Sequence, residues 1–396
     1  MRIRYFADIR FPLERANGVQ TMETCHALAR RGHHVTLVVR PDSHTPARDP
    51  HAYYGLPPVP TLVVETVRVP RALGARRAAY VVHALTRTIG ASGTDIIVTR
   101  DLTIAELLLR VPATVRPPVA YESHGYAPAV SAERPALHTG AAPSTDRKQR
   151  RLEWRERYVW RRADAYVTIT AGLLAELTGR FGARPNAGVV PDGAHVPAQP
   201  TAPRAAKGDP GVEAVVGYAG HLYPWKGIDV LIEALSKLPA CRGLVVGGLD
   251  GEPDLARARA LADRLAPGRV TFAGMVEPPQ VAALLQQADV LVLPNIASRI
   301  SSAYTSPLKL FEYMASGRPV IASDLPALRE VLRPESNAVL VEPGSADALA
   351  GAVRRLVADP ALGRRLAAQA WTDMAGYSWD TRAERLEALL AAGLRA

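Results

Sequence analysis

An apolar strand, a glycine-bearing turn, a helix and a second apolar strand open this chain, and the same order opens again after a proline-rich stretch. That recurrence limits the fold to an α/β chain in two halves. In the first half, Ile3-Arg-Tyr-Phe-Ala7 reads as a strand and Asn17-Gly18-Val19-Gln20 as a loop. A helix then ends near Arg31-Gly32, and His34 to Val39 reads as the next strand. Further short apolar runs at Asp95 to Thr99, Val119 to Ser123 and Ala165 to Thr170 suit a parallel sheet buried on both faces. The stretch from Ala127 to Asp146 is rich in Pro, Ala, Gly and Ser with little periodicity, and reads as a mobile loop. Pro197 to Pro210 carries four prolines among small and polar residues, the composition of a linker, and places a domain boundary near residue 205. Beyond it, strands are expected at Ala214 to Ala219, Gly243 to Gly247, Val270 to Ala273 and Asp289 to Leu293.

The most informative local stretch is Ser306-Pro-Leu-Lys-Leu-Phe-Glu-Tyr-Met-Ala-Ser-Gly-Arg-Pro-Val-Ile-Ala322. Ser306 suits an N-cap, Pro307 the first helical position, and Gly317 a left-handed C-terminal stop, with Pro319 onward restarting as a buried strand. These caps predict a helix of about three turns. Its N-terminal amides and positive dipole end attract phosphate, and Lys309 and Glu312, three residues apart, share one face. A carboxylate at Glu312 could accept both hydroxyls of a ribose. The plainer reading is a surface helix with an ordinary Lys-Glu pair.

The order of elements with this helix near the end resembles the retaining nucleotide-sugar glycosyltransferases of family 4, through nearly the whole chain. The resemblance implies the GT-B fold: two Rossmann-like domains facing each other across a cleft, with a C-terminal helix crossing back to the N-terminal domain. It divides the chain into 1–204 for the acceptor, 205–378 for the nucleotide sugar, and 379–396 for the returning helix. In the family the helix follows a Glu-x7-Glu pattern. The second acid, which binds the ribose, aligns with Glu312, whereas the first aligns with Tyr304, so this chain departs from the pattern there. Thr305, Ser306, Pro307 and Leu308 fall in the same donor-binding segment.

Three further motifs carry over on the same basis. Gly220-His-Leu-Tyr-Pro-Trp-Lys-Gly227 resembles the family's Gly-Arg-Leu-x-x-x-Lys-Gly loop, whose cations neutralise the departing diphosphate. Lys226 matches the lysine, and His221 stands where the family usually has arginine. A neutral imidazole offers one donor where a guanidinium offers a permanent charge and a fork. His124, in Tyr121-Glu-Ser-His-Gly-Tyr126, matches a histidine that contacts the donor sugar; its alternative is a half-buried histidine bonded to backbone. Gly274-Met275-Val276 matches the loop whose backbone reads the base, and Gly18 becomes a ligand or acceptor contact.

The implied activity is transfer of a hexose-type sugar from a nucleoside diphosphate to an acceptor hydroxyl, with retention of anomeric configuration. UDP is favoured by family frequency. The acceptor stays open among small molecules, saccharides and lipid-linked compounds. Two other readings remain at this point: a nucleotide-sugar epimerase of the same architecture, and a non-catalytic sugar-nucleotide-binding module.

Other classes find little support. No run approaches the roughly 18 apolar residues of a membrane span. Met1-Arg-Ile-Arg-Tyr-Phe-Ala7 reads as a strand and not a secretion signal, so a cytoplasmic location is expected. Cys25 and Cys241 have no partner spacing, and no metal-ligand spacing occurs, so no metal or cofactor is expected. A Walker A loop is missing. The net charge of +10 is mostly scattered arginine. It is densest from Arg147 to Arg162, where Leu152, Trp154, Tyr158 and Trp160 interleave with cations. That segment reads as a helix with a wet basic face, leaving peripheral membrane contact open, and no nucleic-acid module accompanies it.

Overall fold

A computed structural model describes residues 1–70, 72–90, 93–137, 142–199 and 214–395. The expected boundary near 205 lies outside the described residues. By contacts the chain divides into two units, one of Met1–Pro128, Thr145–Asp192 and Trp379–Ala396, the other of Ala129–Ser144 and Gly193–Ser378.

The first unit holds seven strands: β1 (Arg2–Arg10), β2 (His34–Arg40), β3 (Leu62–Thr66), β4 (Ile96–Thr99), β5 (Val119–Ser123), β6 (Ala165–Thr168) and β7 (Ala187–Val189). They form a parallel sheet in the order β3-β2-β1-β4-β5-β6-β7. β4, β5 and β6 are buried at every residue, because helices cover both faces of a parallel sheet. The helix Ala16–Arg30 begins within the segment expected as a loop, so Gly18 lies in its first turn. The helix Trp379–Gly393 belongs to this unit and buries Trp379, Arg382, Ala383, Leu386 and Leu390.

The second unit holds β8 (Ala214–Ala219), β9 (Cys241–Val246), β10 (Val270–Gly274), β11 (Val290–Leu293), β12 (Val320–Ser323) and β13 (Val339–Val341). Their order is β10-β9-β8-β11-β12-β13, again parallel. Alternation along β11 divides the core. Val290 and Val292 join the cluster under the helices Ile228–Ser236 and Ala346–Ala358. Leu291 and Leu293 join the opposite one with Leu310, Phe311 and Met314. The helix Leu308–Ala315 is therefore seated by its apolar face, which holds its first turn at the strand ends.

The segment expected as a mobile loop is instead a helix over Ala127–Leu137, with Pro135 near its end. Its Ala127 amide donates to the buried Glu156 carboxylate at 2.9 Å. Within the second unit, the Glu133 carboxylate accepts from the Arg299 and Ile300 amides at 3.1 and 3.3 Å. The alanine-rich composition suits a helix, and these tertiary partners anchor it. The basic segment forms the helix Asp146–Arg162, capped by Thr145, with Glu156, Val159 and Trp160 buried. Trp154 is 46% exposed and stacks on Tyr158, with ring centroids 5.2 Å apart.

Candidate functional site

In the second unit the strand order reverses between β8 and β11, so the loops leaving their carboxyl ends diverge and open a crevice. Residues 220–227 leave β8 and residues 294–307 leave β11. The two loops lock together at Gly227. It takes φ +76°, and a Cβ there would stand 1.7 Å from the Pro294 carbonyl oxygen. The Ile296 amide also donates to the Trp225 carbonyl at 3.0 Å.

Two cations meet here. The Lys226 ammonium, at the end of the short turn Pro224–Lys226, lies 3.7 Å from the Trp225 ring centroid. The Lys309 ammonium lies 3.8 Å from the Tyr218 ring centroid, is buried, and has no hydrogen-bond partner. Gly220 makes room for it: a Cβ at Gly220 would sit 3.3 Å from Lys309 Nζ. Burial lowers Lys226 to about 7. Burial also depresses Lys309 well below the usual lysine range, the charge of Lys226 adds to the effect, and Glu312 opposes it. The half-buried Glu312 stands one helical turn beyond Lys309. A buried ammonium without a hydrogen-bond partner is costly, and a bound polyanion removes that cost.

The helix differs from expectation at its start. It spans Leu308–Ala315, a little over two turns, and Pro307 takes the N-cap position in an extended conformation with no side-chain capping bond. Pro307, and not Ser306, thus holds the N-cap position. Proline has no capping side chain, and the first-turn amides of Leu308 and Lys309 lie at the positive end of the helix, where phosphate-type ligands bind. Gly317, at φ +73°, ends the helix in the left-handed conformation.

The remaining expected residues of this unit gather around the same strand ends. His221 stacks on Tyr223 at 5.1 Å, and its carbonyl accepts from the Tyr218 hydroxyl at 2.6 Å. Met275 follows Gly274, whose carbonyl accepts from the Gly247 amide at 2.8 Å. Thr305 is buried and donates its hydroxyl to the Ile300 carbonyl at 2.8 Å. Tyr304 is 2% exposed, so no open ring face is available for stacking on a sugar. Two residues escaped the sequence reading. Asn295, 1% exposed, has neither amide atom hydrogen-bonded, and the indole nitrogen of Trp225 is also unpartnered. An Asn after an apolar strand carries no distinguishing sequence signal; only its burial beside the crevice singles it out.

In the first unit, Gly18 and His124 occupy different parts of one polar cluster at the carboxyl ends of β4 and β5. A Cβ at Gly18 would stand 2.3 Å from the Leu13 carbonyl oxygen and 2.5 Å from the Tyr54 hydroxyl, so its close approach is to these groups of its own unit. The next residues connect onward: Arg100 donates to Asn17 at 2.9 Å and to Gln20 at 2.5 Å, and Gln20 donates to Glu122 at 2.7 Å. His124 Nε2 lies 2.6 Å from Glu122 Oε1, and the same oxygen accepts from Arg382 at 2.8 Å. Burial, then the charge of Arg100, lowers His124 to about 4 despite the adjacent carboxylate. Among the described residues, no group of three or more His, Cys, Asp or Glu is placed to hold a metal ion.

Comparison with known proteins agrees with this architecture. The glycosyl transferase 4-like domain model matches residues 17–193, and the model of glycosyl transferases group 1 matches residues 213–359. The D-inositol 3-phosphate glycosyltransferase of Nocardia farcinica is 31% identical over 286 residues, covering 68% of this chain and 60% of that protein. The phosphatidyl-myo-inositol mannosyltransferase of Mycobacterium leprae is 33% identical over 202 residues, covering 50% and 51%. The chain thus spans less than two thirds of the length of these relatives. Among solved structures, sucrose-phosphate synthase from Thermosynechococcus elongatus superposes with a TM-score of 0.77 at 23% identity, over 98% of each chain. Anabaena HepE in complex with UDP and glucose gives 0.72 at 19% identity, over 99% of each. Both share the fold of two Rossmann-like units. The two family models fall one on each half of the chain, and by them the protein belongs to the group 1, family 4-like glycosyl transferases of GT-B fold.

Proposed function

We propose that this protein transfers a hexose-type sugar from a nucleoside diphosphate, UDP by preference, to an acceptor hydroxyl with retention of configuration and without a metal. The observation that carries this reading is the pair Lys226 and Lys309, one ammonium on an indole face and the other buried without a hydrogen-bond partner, beside a helix N-terminus with proline at its N-cap. A leaving diphosphate gains charge as the glycosidic bond breaks, and preorganised cations in a poorly solvated site stabilise that charge. Lys226 and Lys309 take the diphosphate, Glu312 the ribose hydroxyls, and the backbone near Met275 the base. The sugar is held by the segment from Tyr304 to Leu308, with Tyr304 acting through its backbone. His221 is placed as a second, weaker phosphate contact. HepE in complex with UDP and glucose supports a UDP donor. The names of the relatives support a polyol acceptor bearing phosphate or a phospholipid, and the exposed Trp154 on its basic helix suits contact with an anionic membrane.

The test is a thermal-shift comparison of UDP, GDP and ADP, since a ligand at 100-fold its dissociation constant adds about 2.7 kcal/mol of stability. UDP is expected to give the largest shift. NMR of the product then reads the anomeric configuration, and inversion would sink the retaining assignment. Glu312→Ala is expected to weaken UDP binding by about 1.5–3 kcal/mol, the contribution of hydrogen bonds to a charged acceptor. Unchanged affinity in calorimetry would remove Glu312 from the ribose.

The lowered lysines add a pH signature. At pH 8 Lys226 is mostly neutral in the free protein, being lowered to about 7, and the diphosphate raises its affinity for a proton. Binding is therefore expected to take up protons, and affinity to fall as pH rises above 7, by no more than about tenfold in all. Titration calorimetry in buffers of different ionisation enthalpy measures the uptake; proton release on binding would contradict it.

A further inference from the structure

The helix Arg299–Ala303 has only five residues, too few to hold itself together, and it lies in the loop that leads from β11 to the segment proposed for the sugar. Its stability must come from its ends. The first-turn amides of a helix have no partner inside it, yet here each finds one. Ser301 donates to the Ser298 hydroxyl at 3.1 Å, while Arg299 and Ile300 donate to separate carboxylate oxygens of Glu133 at 3.1 and 3.3 Å. A carboxylate only accepts, so it suits two adjacent N–H groups, and its charge meets the positive end of the helix. Ser302 then begins the intrahelical ladder on the Ser298 carbonyl at 2.9 Å.

Glu133 comes from the helix Ala127–Leu137, in the segment Ala129–Ser144 that belongs to the second unit. There the Ser131 hydroxyl lies 3.0 Å from that of Ser144. In the stretch that Glu133 grips, Ile296, Ala297 and Arg299 are exposed, so hydrogen bonds matter more than packing to its path. That path has a consequence downstream. The Ile300 carbonyl accepts from the Tyr304 amide at 3.0 Å and from the Thr305 hydroxyl at 2.8 Å. Ile300 thus joins Glu133, through its amide, to the segment beginning at Tyr304, through its carbonyl. The residues placed on the nucleotide are held by other means. Gly227 locks the Lys226 turn against Pro294, and Leu310, Phe311 and Met314 seat the helix that bears Lys309 and Glu312.

We propose that Glu133 is a positioning residue for the donor sugar: it holds the first turn of Arg299–Ala303, and through Ile300 it sets the backbone from Tyr304 to Leu308 on which the sugar rests. The sugar part rests on the donor reading given above. Glu133 touches no substrate on this account. Its removal separates a nucleotide that carries a sugar from one that does not, because the loop it holds serves the sugar and not the nucleotide.

The test compares wild type with Glu133→Gln and Glu133→Ala. Both replacements are good helix formers, so the helix Ala127–Leu137 itself is spared. Glutamine keeps the length but turns an NH2 toward one of the two amides, which loses its acceptor; alanine removes both acceptors. Calorimetry measures UDP against UDP-glucose, UDP-galactose and UDP-N-acetylglucosamine, and the sugar nucleotide that wild type binds most tightly is the probe. Its affinity is expected to fall roughly three- to tenfold in Glu133→Gln and further in Glu133→Ala, with affinity for UDP unchanged. Amide hydrogen exchange over residues 296–306 should quicken by about tenfold or more in Glu133→Ala, while exchange over residues 220–227 holds. A merely structural cap would lower the melting temperature and speed exchange without altering the ratio of the two affinities, and that result overturns the proposal. Equal loss of affinity for both ligands, or unchanged exchange over 296–306, overturns it as well. If Glu133→Ala does not fold, Glu133→Gln decides by the same readouts. Wild-type protein that binds neither UDP nor any of the three sugar nucleotides overturns the donor reading and this proposal with it, whereas tight binding by wild type without selective loss in the variants overturns this proposal alone.

Discussion

Lys226→Ala is expected to lower kcat by about 100- to 1000-fold, the cost of removing one preorganised donor from a site of developing charge. The donor dissociation constant should change by less than about tenfold. The reason is differential. On the proposed reading, the ground-state diphosphate spreads its charge over Lys309 and the amides of the helix Leu308–Ala315, whereas the leaving group gains charge that Lys226 meets. The native ammonium lies against Trp225, and truncation leaves that indole without its cation, so a thermal melt accompanies the kinetics to separate folding from catalysis. Steady-state kinetics with the identified donor gives the decisive ratio. A raised KM with unaltered kcat would assign Lys226 to binding alone.

The largest expected loss of stability comes from the neighbouring residue. Gly227→Ala should cost about 2–5 kcal/mol, because the new methyl group would stand 1.7 Å from the Pro294 carbonyl and the backbone holds φ +76°. Something must move, and the atom in the way is backbone. Relief means separating the turn Pro224–Lys226 from the loop after β11, which carries Lys226 away from Lys309, so donor affinity should fall together with stability. Gly268→Ala is the control. It has φ +68° with nothing within 4 Å of the added Cβ, so it carries the conformational cost alone, about 1–2 kcal/mol. Urea denaturation of both variants measures the difference; equal losses would mean that the loop contact at Pro294 yields without resistance.

Much of this protein could be read before its structure was known. The central strands, from β1 and β2 through β4, β5 and β6 to β8, β11 and β12, announce themselves as short apolar runs because helices cover both faces. The returning helix, expected within 379–396, runs over Trp379–Gly393. The sheet-edge strands β3, β7 and β13 were not foreseen. They are short and only partly buried, so their side chains carry no continuous apolar signal. The helix Ala127–Leu137 was also missed, since its anchors at Glu156 and Arg299 lie 29 and 166 residues away along the chain.

The candidate site divides the same way. Sequence singled out Lys226, Lys309 and Glu312 as candidates, through a glycine-framed turn, a helix flanked by proline and glycine, and the family resemblance that gave those local patterns weight. Tertiary structure decided their chemistry. It placed Lys309 against Tyr218 without a hydrogen-bond partner, moved the N-cap from Ser306 to Pro307, and buried Tyr304. It also brought Arg382 to Glu122 across 260 residues, with His124 on the same carboxylate oxygen. Burial and charge pairing depend on which distant segments meet, and a one-dimensional pattern records only what lies within a few turns of itself.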